Sequence, residues 1–180
     1  MTGVQLIDAA RGDVWLGLND PEILKACIAG CQSIEKIGDS EYRVMTNVAI
    51  GPVSAKFKGK LLLSDLDPPN SYSISFDGQG GAAGFGKGSA KVVLAPEGAR
   101  TKLEYSVKAQ VGGKIAQIGG RLIDGVAKKM ADDFFAAFNQ KIAVPVMTID
   151  EASTRVIHSA AHLWWAIAII TAMFLLAYIF

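Results

Sequence analysis

Histidine is nearly absent from this chain: only His158 and His162 occur, both beside its hydrophobic C-terminus. The body before them therefore offers no imidazole as a general base or metal ligand. Cysteine is equally scarce. Cys27 and Cys31 are the only two, with no second pair, so a four-ligand structural zinc site cannot be assembled from them. They read as partly buried thiols on a short helix, and the lack of a secretory leader argues against a disulfide. Charge of one sign is missing too. The formal net charge is +1, without the basic face that nucleic acid binders use to displace counterions from phosphates. Asp132 and Asp133 are adjacent carboxylates, but neighbours on a helix point about 100° apart and cannot share a substrate proton.

Long hydrophobic runs are lacking until the end, where one appears. Leu163 to Phe180 reads LWWAIAIITAMFLLAYIF, eighteen residues without a charge. As a helix it spans about 27 Å, close to the roughly 30 Å hydrocarbon core of a bilayer. Trp164 and Trp165 at one end and Tyr178 near the other match the aromatic belts at headgroup level. Residues 160–180 are thus expected to form a C-terminal transmembrane anchor, and residues 144–159 a linker reaching roughly 20–25 Å. Arg155 flanks the anchor on the domain side, which places the domain on the cytoplasmic side by the positive-inside rule.

Residues 1–143 make the folded body. Val4 to Asp8 suits an opening strand and Asp13 to Leu18 a short helix. A second helix starts at Asp20-Pro21, with Asp20 as N-cap and Pro21 in the first position, and stops at Gly30. Five segments of period-2 alternation follow. Tyr42, Val44, Thr46, Val48 and Ile50 share one face. Val53, Ala55, Phe57, Gly59, Leu61 and Leu63 share the next, with Lys56, Lys58 and Lys60 opposite. Tyr72, Ile74 and Phe76 come third, Gly88, Ala90, Val92 and Leu94 fourth, and Thr101, Leu103, Tyr105, Val107, Ala109 and Val111 fifth. Turn signals divide them at Gly51-Pro52, Asp67 to Asn70, the glycines near 80, and Pro96 to Gly98. The pattern is an antiparallel meander with one wet and one apolar face. After Gly120, Leu122, Ile123, Val126, Met130, Phe134 and Phe138 fall in one helical arc that can cover the apolar face. The fold class is α+β.

Three features admit two readings each. The small inner-face residues Ala55, Gly59, Gly88, Ala90, Thr101 and Ala109 either let the helix pack close or leave a cavity for a ligand. Gly78 to Gly88 is flanked by strands, not by the strand and helix of a dinucleotide site. It is either a flexible turn or a mobile lip or docking surface anchored by an exposed Phe85. The lysine row either is solvated surface that blunts edge pairing or attracts anionic headgroups or an acidic partner.

Three separated motifs carry a family resemblance: Val14-Trp15 through Asn19-Asp20-Pro21-Glu22 to Gly30-Cys31, the stretch GQGGAAGFGKGSA from Gly78, and GGKIAQIGGRLIDGVAKKMADDFF from Gly112. Over about residues 2–140 the chain resembles the CoxG family of carbon monoxide dehydrogenase proteins, within the helix-grip superfamily of START lipid-transfer domains and polyketide cyclases. Ala29 stands where that family usually has proline. The resemblance implies a helix-grip fold, a curved antiparallel sheet around a long C-terminal helix with a hydrophobic cavity between them. It also implies a non-enzymatic accessory role at the cytoplasmic face of the bacterial plasma membrane. There the protein would recruit aerobic carbon monoxide dehydrogenase, or a related molybdenum hydroxylase, and carry respiratory quinone, either menaquinone or ubiquinone.

Candidate cavity residues on the sheet are Val44, Val48, Phe57, Leu61, Ile74 and Phe76, followed by Leu103, Tyr105 and Val107. Leu122, Val126, Met130 and Phe134 would face them from the helix. Tyr105 is the expected hydrogen-bond donor to a quinone carbonyl. Two other classes remain open at this point: a membrane-docking adaptor with a filled core, and a cyclase or hydrolase with acid/base residues in the cavity.

Overall fold

A computed structural model of the protein describes residues 1–143. The expected linker and membrane anchor, 144–159 and 160–180, lie outside the described residues. Among the described residues no helix is long and apolar enough to cross a membrane.

The alternation of apolar and polar residues becomes one antiparallel sheet, because such strands bury one face and leave the other to water. Its strands are β1 (Thr2–Ile7), β2 (Cys31–Lys36), β3 (Glu41–Ile50), β4 (Val53–Asp67), β5 (Ser71–Gln79), β6 (Phe85–Glu97) and β7 (Arg100–Gly112). The order across the sheet is β1-β7-β6-β5-β4-β3-β2, so β2 to β7 form a meander and β1 returns to pair with β7. Helices α1 (Arg11–Leu18) and α2 (Pro21–Cys27) connect β1 to β2, while α3 (Gly120–Ile142) follows β7.

Local chemistry accounts for the helix starts only in part. In α2 the Asp20 carboxylate accepts from the backbone N–H of Glu22 at 2.8 Å and of Ile23 at 3.3 Å, with Pro21 in the first turn. The first helix begins at Arg11, two residues before the expected Asp13, and Ala10 gives it no side-chain cap. Strand β2 is not expected from the alternation. Only Ile34 in it is buried, and a register shift between Cys31 and Ser33 interrupts its pairing with β3. The glycine stretch is also more ordered than a loose hairpin. Strand β5 continues to Gln79 and β6 begins at Phe85, leaving a turn that holds a short 3₁₀ segment, Gly81–Ala83. Gly84 closes that turn at φ 115°, a conformation that side chains disfavour.

The core sits toward one end of the concave face. Phe138 is fully buried against Val14 and Leu18 of α1, Cys27 of α2, and Leu94 and Leu103 of the sheet. A Cβ on Gly17 would meet the Phe138 ring at 3.1 Å and Ile142 at 3.0 Å, so its absence lets α1 approach α3. Two further ties fix this end. The backbone N–H of Asp8 donates to Asn139 Oδ1 at 2.8 Å and Asn139 Nδ2 donates back to Asp8 Oδ2 at 3.0 Å. Fully buried Thr101 donates from Oγ1 to the Ala9 carbonyl at 2.8 Å.

Burial fades toward the N-terminus of α3. Leu122, in the same apolar arc as Phe138, is 46% exposed and touches the β3–β4 turn near Gly51. Phe138→Ala should therefore cost about 3–5 kcal/mol, whereas Leu122→Ala should cost no more than about 0.5 kcal/mol. Chemical denaturation of the two variants, compared by midpoint at constant slope, checks this division.

Candidate ligand-binding cavity

Under the middle of α3 the sheet and helices form a partly open cavity of about 280 Å³. Its floor comes from β4 to β7: Leu61 and Leu63, Tyr72 and Ile74, Ala90 and Val92, then Leu103, Tyr105 and Val107. Helix α3 roofs it with Ala131, Phe134 and Phe135. Leu18 and Leu24 of the first two helices and Ile28 just after α2, with Ile34 and Tyr42, close one side, and Met1 borders another. Among the described residues no charged side chain lines it, and the only side-chain hydroxyls are the phenols of Tyr42, Tyr72 and Tyr105.

Of the residues expected to line a cavity, Leu61, Ile74, Leu103, Tyr105, Val107 and Phe134 do so. Val44, Phe57 and Phe76 instead border a second apolar hollow of about 160 Å³ farther along β3 to β6, which shares Leu61 with the first. Val48, Val126 and Met130 are half-buried and line neither, and Leu122 is exposed. The four helix candidates thus divide by position: the arc is correct, but its first turns extend past the cavity. Alternation already placed Tyr42, Leu63, Tyr72, Ala90 and Val92 on the inner face. Leu24 carried no such signal, because α2 has only seven residues, and Ile28 lies just beyond its end.

At Gly59 and Gly88 the missing side chain makes room for the sheet rather than for the helix. Atoms of neighbouring strands crowd the inner side of Gly59 and Gly88. A Cβ on Gly59 would lie 2.7 Å from the Asp77 carbonyl, and one on Gly88 would run into the Lys108 carbonyl. These glycines allow the sheet to bend on itself. Ala90 alone among the small strand residues lines the cavity. Phe85 is not an exposed anchor: it is half-buried, and its ring covers Gly112 of the neighbouring strand. Lys56, Lys58 and Lys60 are exposed on β4, and Lys60 pairs with Glu41 at 2.8 Å.

The three phenols differ in their surroundings. Tyr42 is buried and its hydroxyl donates to the Asn19 carbonyl at 3.3 Å. The Tyr105 ring stacks on Phe135 with centroids 5.3 Å apart and lies over the bare backbone of Gly3 in the edge strand β1. The Tyr72 ring meets Trp15 edge-on at 5.4 Å. Burial pushes the Tyr72 hydroxyl far above the ordinary phenol range, with Tyr42 adding to the shift, and burial raises Tyr42 as well. Both are therefore neutral O–H groups at physiological pH. Burial likewise raises the thiols of Cys27 and Cys31, which disfavours the nucleophilic thiolate. Among the described residues no three His, Cys, Asp or Glu side chains cluster as metal ligands.

The family model of CoxG, a subunit of carbon monoxide dehydrogenase, matches residues 3–143. The chain belongs to that family. A conserved protein from Geobacillus kaustophilus has a similar crystal structure, with a TM-score of 0.75 and 36% identity, covering 79% of this chain and 93% of that one. A START superfamily protein from Mycobacterium smegmatis has a TM-score of 0.60 at 15% identity, covering 79% and 95%. The Zhui aromatase/cyclase of a Streptomyces species gives 0.56 at 13% identity, covering 79% and 92%. The last two show the shared fold alone: a curved antiparallel sheet with a long C-terminal helix. No curated protein matches the sequence.

The cavity has a direct physical test. Enlarging a side chain in a packed core costs about 1–3 kcal/mol, but Ala131 of α3 faces free space. Ala131→Leu should leave the unfolding free energy within about 1 kcal/mol of wild type or raise it, measured by denaturant titration.

Proposed function

We propose that this protein is a membrane-anchored carrier of an apolar ligand, namely a respiratory quinone such as menaquinone or ubiquinone. It would serve aerobic carbon monoxide dehydrogenase or a related molybdenum hydroxylase, recruiting that enzyme to the membrane without catalysing a reaction itself. The observation that carries the reading is the 280 Å³ cavity, lined by aliphatic and aromatic side chains with three phenols as its only side-chain hydroxyls. Ligand pockets are mostly apolar with a few placed polar groups. A polyprenyl quinone is insoluble in water, so its carrier must shield it and stay near the membrane. The uncharged segment Leu163 to Phe180 supplies the second requirement, and Arg155 favours the cytoplasmic face.

The family connects the chain to carbon monoxide dehydrogenase, although a fold hosts many functions and the site must argue for itself. One relative in fold is an aromatase/cyclase. Such chemistry needs groups that move protons at the substrate, and the two phenols buried deepest here hold theirs firmly. A docking adaptor, the other alternative, has no use for a cavity.

The test is to purify the full chain from membranes in mild detergent and extract its bound lipids for mass spectrometry. A quinone at near-stoichiometric occupancy is expected. Ala90→Phe, which fills the cavity floor, should lower that occupancy about tenfold, equivalent to ~1.4 kcal/mol. A chain that carries no quinone and takes up none when menaquinone or ubiquinone is added would overturn the proposal.

A further inference from the structure

Tyr72 is 4% exposed, yet its hydroxyl has no hydrogen-bond partner among the described residues. A phenol sealed in a core in that way would forfeit the hydrogen bond it makes to water in the unfolded chain. The hydroxyl is not sealed. No fully buried side-chain oxygen or nitrogen lacks a partner among the described residues, and Tyr72 forms part of the cavity wall. Its small accessible remainder thus faces the cavity, where every neighbouring side chain but the other two phenols is apolar.

The ring has little freedom to turn the hydroxyl elsewhere. Trp15 packs edge-on against it at an interplanar angle of 89°, and Tyr72 pairs with buried Val92 across the β5–β6 ladder. The other two phenols are differently engaged. Tyr42 gives its proton to Asn19. Tyr105 is only partly buried, with its hydroxyl over Gly3 of the edge strand. Tyr72 is therefore the one phenol that is both buried in the wall and unpaired among the described residues.

We propose that the Tyr72 hydroxyl is the hydrogen-bond donor that fixes the polar end of the bound ligand. The cavity then selects molecules with a carbonyl-type acceptor on an apolar body over plain hydrocarbons of the same shape. Selection arises because a hydrocarbon leaves the buried donor unpaired, and an unpaired donor costs more than a pair gains. The inference rests on the ligand-carrier reading and transfers to Tyr72 the role that the sequence suggested for Tyr105.

Two probes of nearly equal shape test it on the full chain: menadione, with its two carbonyls, and methylnaphthalene, which has none. Wild type should bind both by calorimetry, menadione the more tightly. Tyr72→Phe removes one oxygen and keeps the ring, and circular dichroism checks that the variant is folded. It should weaken menadione about tenfold, the equivalent of ~1.4 kcal/mol, and leave methylnaphthalene unchanged. The infrared carbonyl stretch of bound menadione should lie lower in wild type than in Tyr72→Phe, a readout that a merely structural tyrosine would not move. Unchanged menadione affinity, an equal loss for both probes, or a wild-type carbonyl band at the frequency of an unbonded quinone would overturn the Tyr72 role while leaving the carrier reading intact. Wild type that binds neither probe would overturn both.

Discussion

The structure depends on how α3 is held at one end of the sheet. Phe138, the Gly17 contact and the Asp8–Asn139 pair fix its C-terminal turns. From there the helix runs over a concave face wider than its own apolar stripe. A helix is about 10–12 Å across with its side chains, whereas neighbouring strands lie about 4.8 Å apart, so one helix cannot fill the hollow of a bent seven-stranded sheet. The first two helices cover part of the remainder. What neither they nor α3 fills is the cavity.

That void has an energetic consequence. Apolar wall atoms that meet no neighbour forfeit dispersion contacts, and the wall of this partly open cavity is almost wholly apolar. An apolar ligand regains part of that loss through contacts and through its own removal from water. The fold is thus predisposed to hold something, and the side chains on the wall decide what. Here the wall excludes charge and offers phenols as its only side-chain hydroxyls, a composition suited to an amphiphile with a small polar end.

The same sheet and helix recur in proteins as different as a START superfamily member and an aromatase/cyclase. Architecture alone therefore does not separate a carrier from a catalyst. The difference lies in a few inward positions. Enzymatic acid/base work on this scaffold would require a titratable group tuned near neutral pH. In this cavity burial drives the phenols of Tyr42 and Tyr72 the other way.

Much of this was legible in the residues themselves. Alternation with period 2 fixes which side of each long strand is apolar, since side chains point to opposite faces in turn. It therefore brought Leu61, Ile74, Leu103, Tyr105 and Val107 to the cavity. The Asp20-Pro21 start of α2 followed from capping chemistry, and the arc from Leu122 to Phe138 from the helical period. Edge strand β2 was hidden because it buries a single residue and its pairing is interrupted. Periodicity reports direction, not distance along an element. It could not separate Phe134, over the cavity, from Leu122, beyond it, or Leu61 from Val48. Only the tertiary structure decided those matters, because the position of the void depends on where α3 is pinned and how far the sheet bends. Both depend on contacts between residues far apart in sequence, such as Asp8 with Asn139 and Gly88 with Lys108.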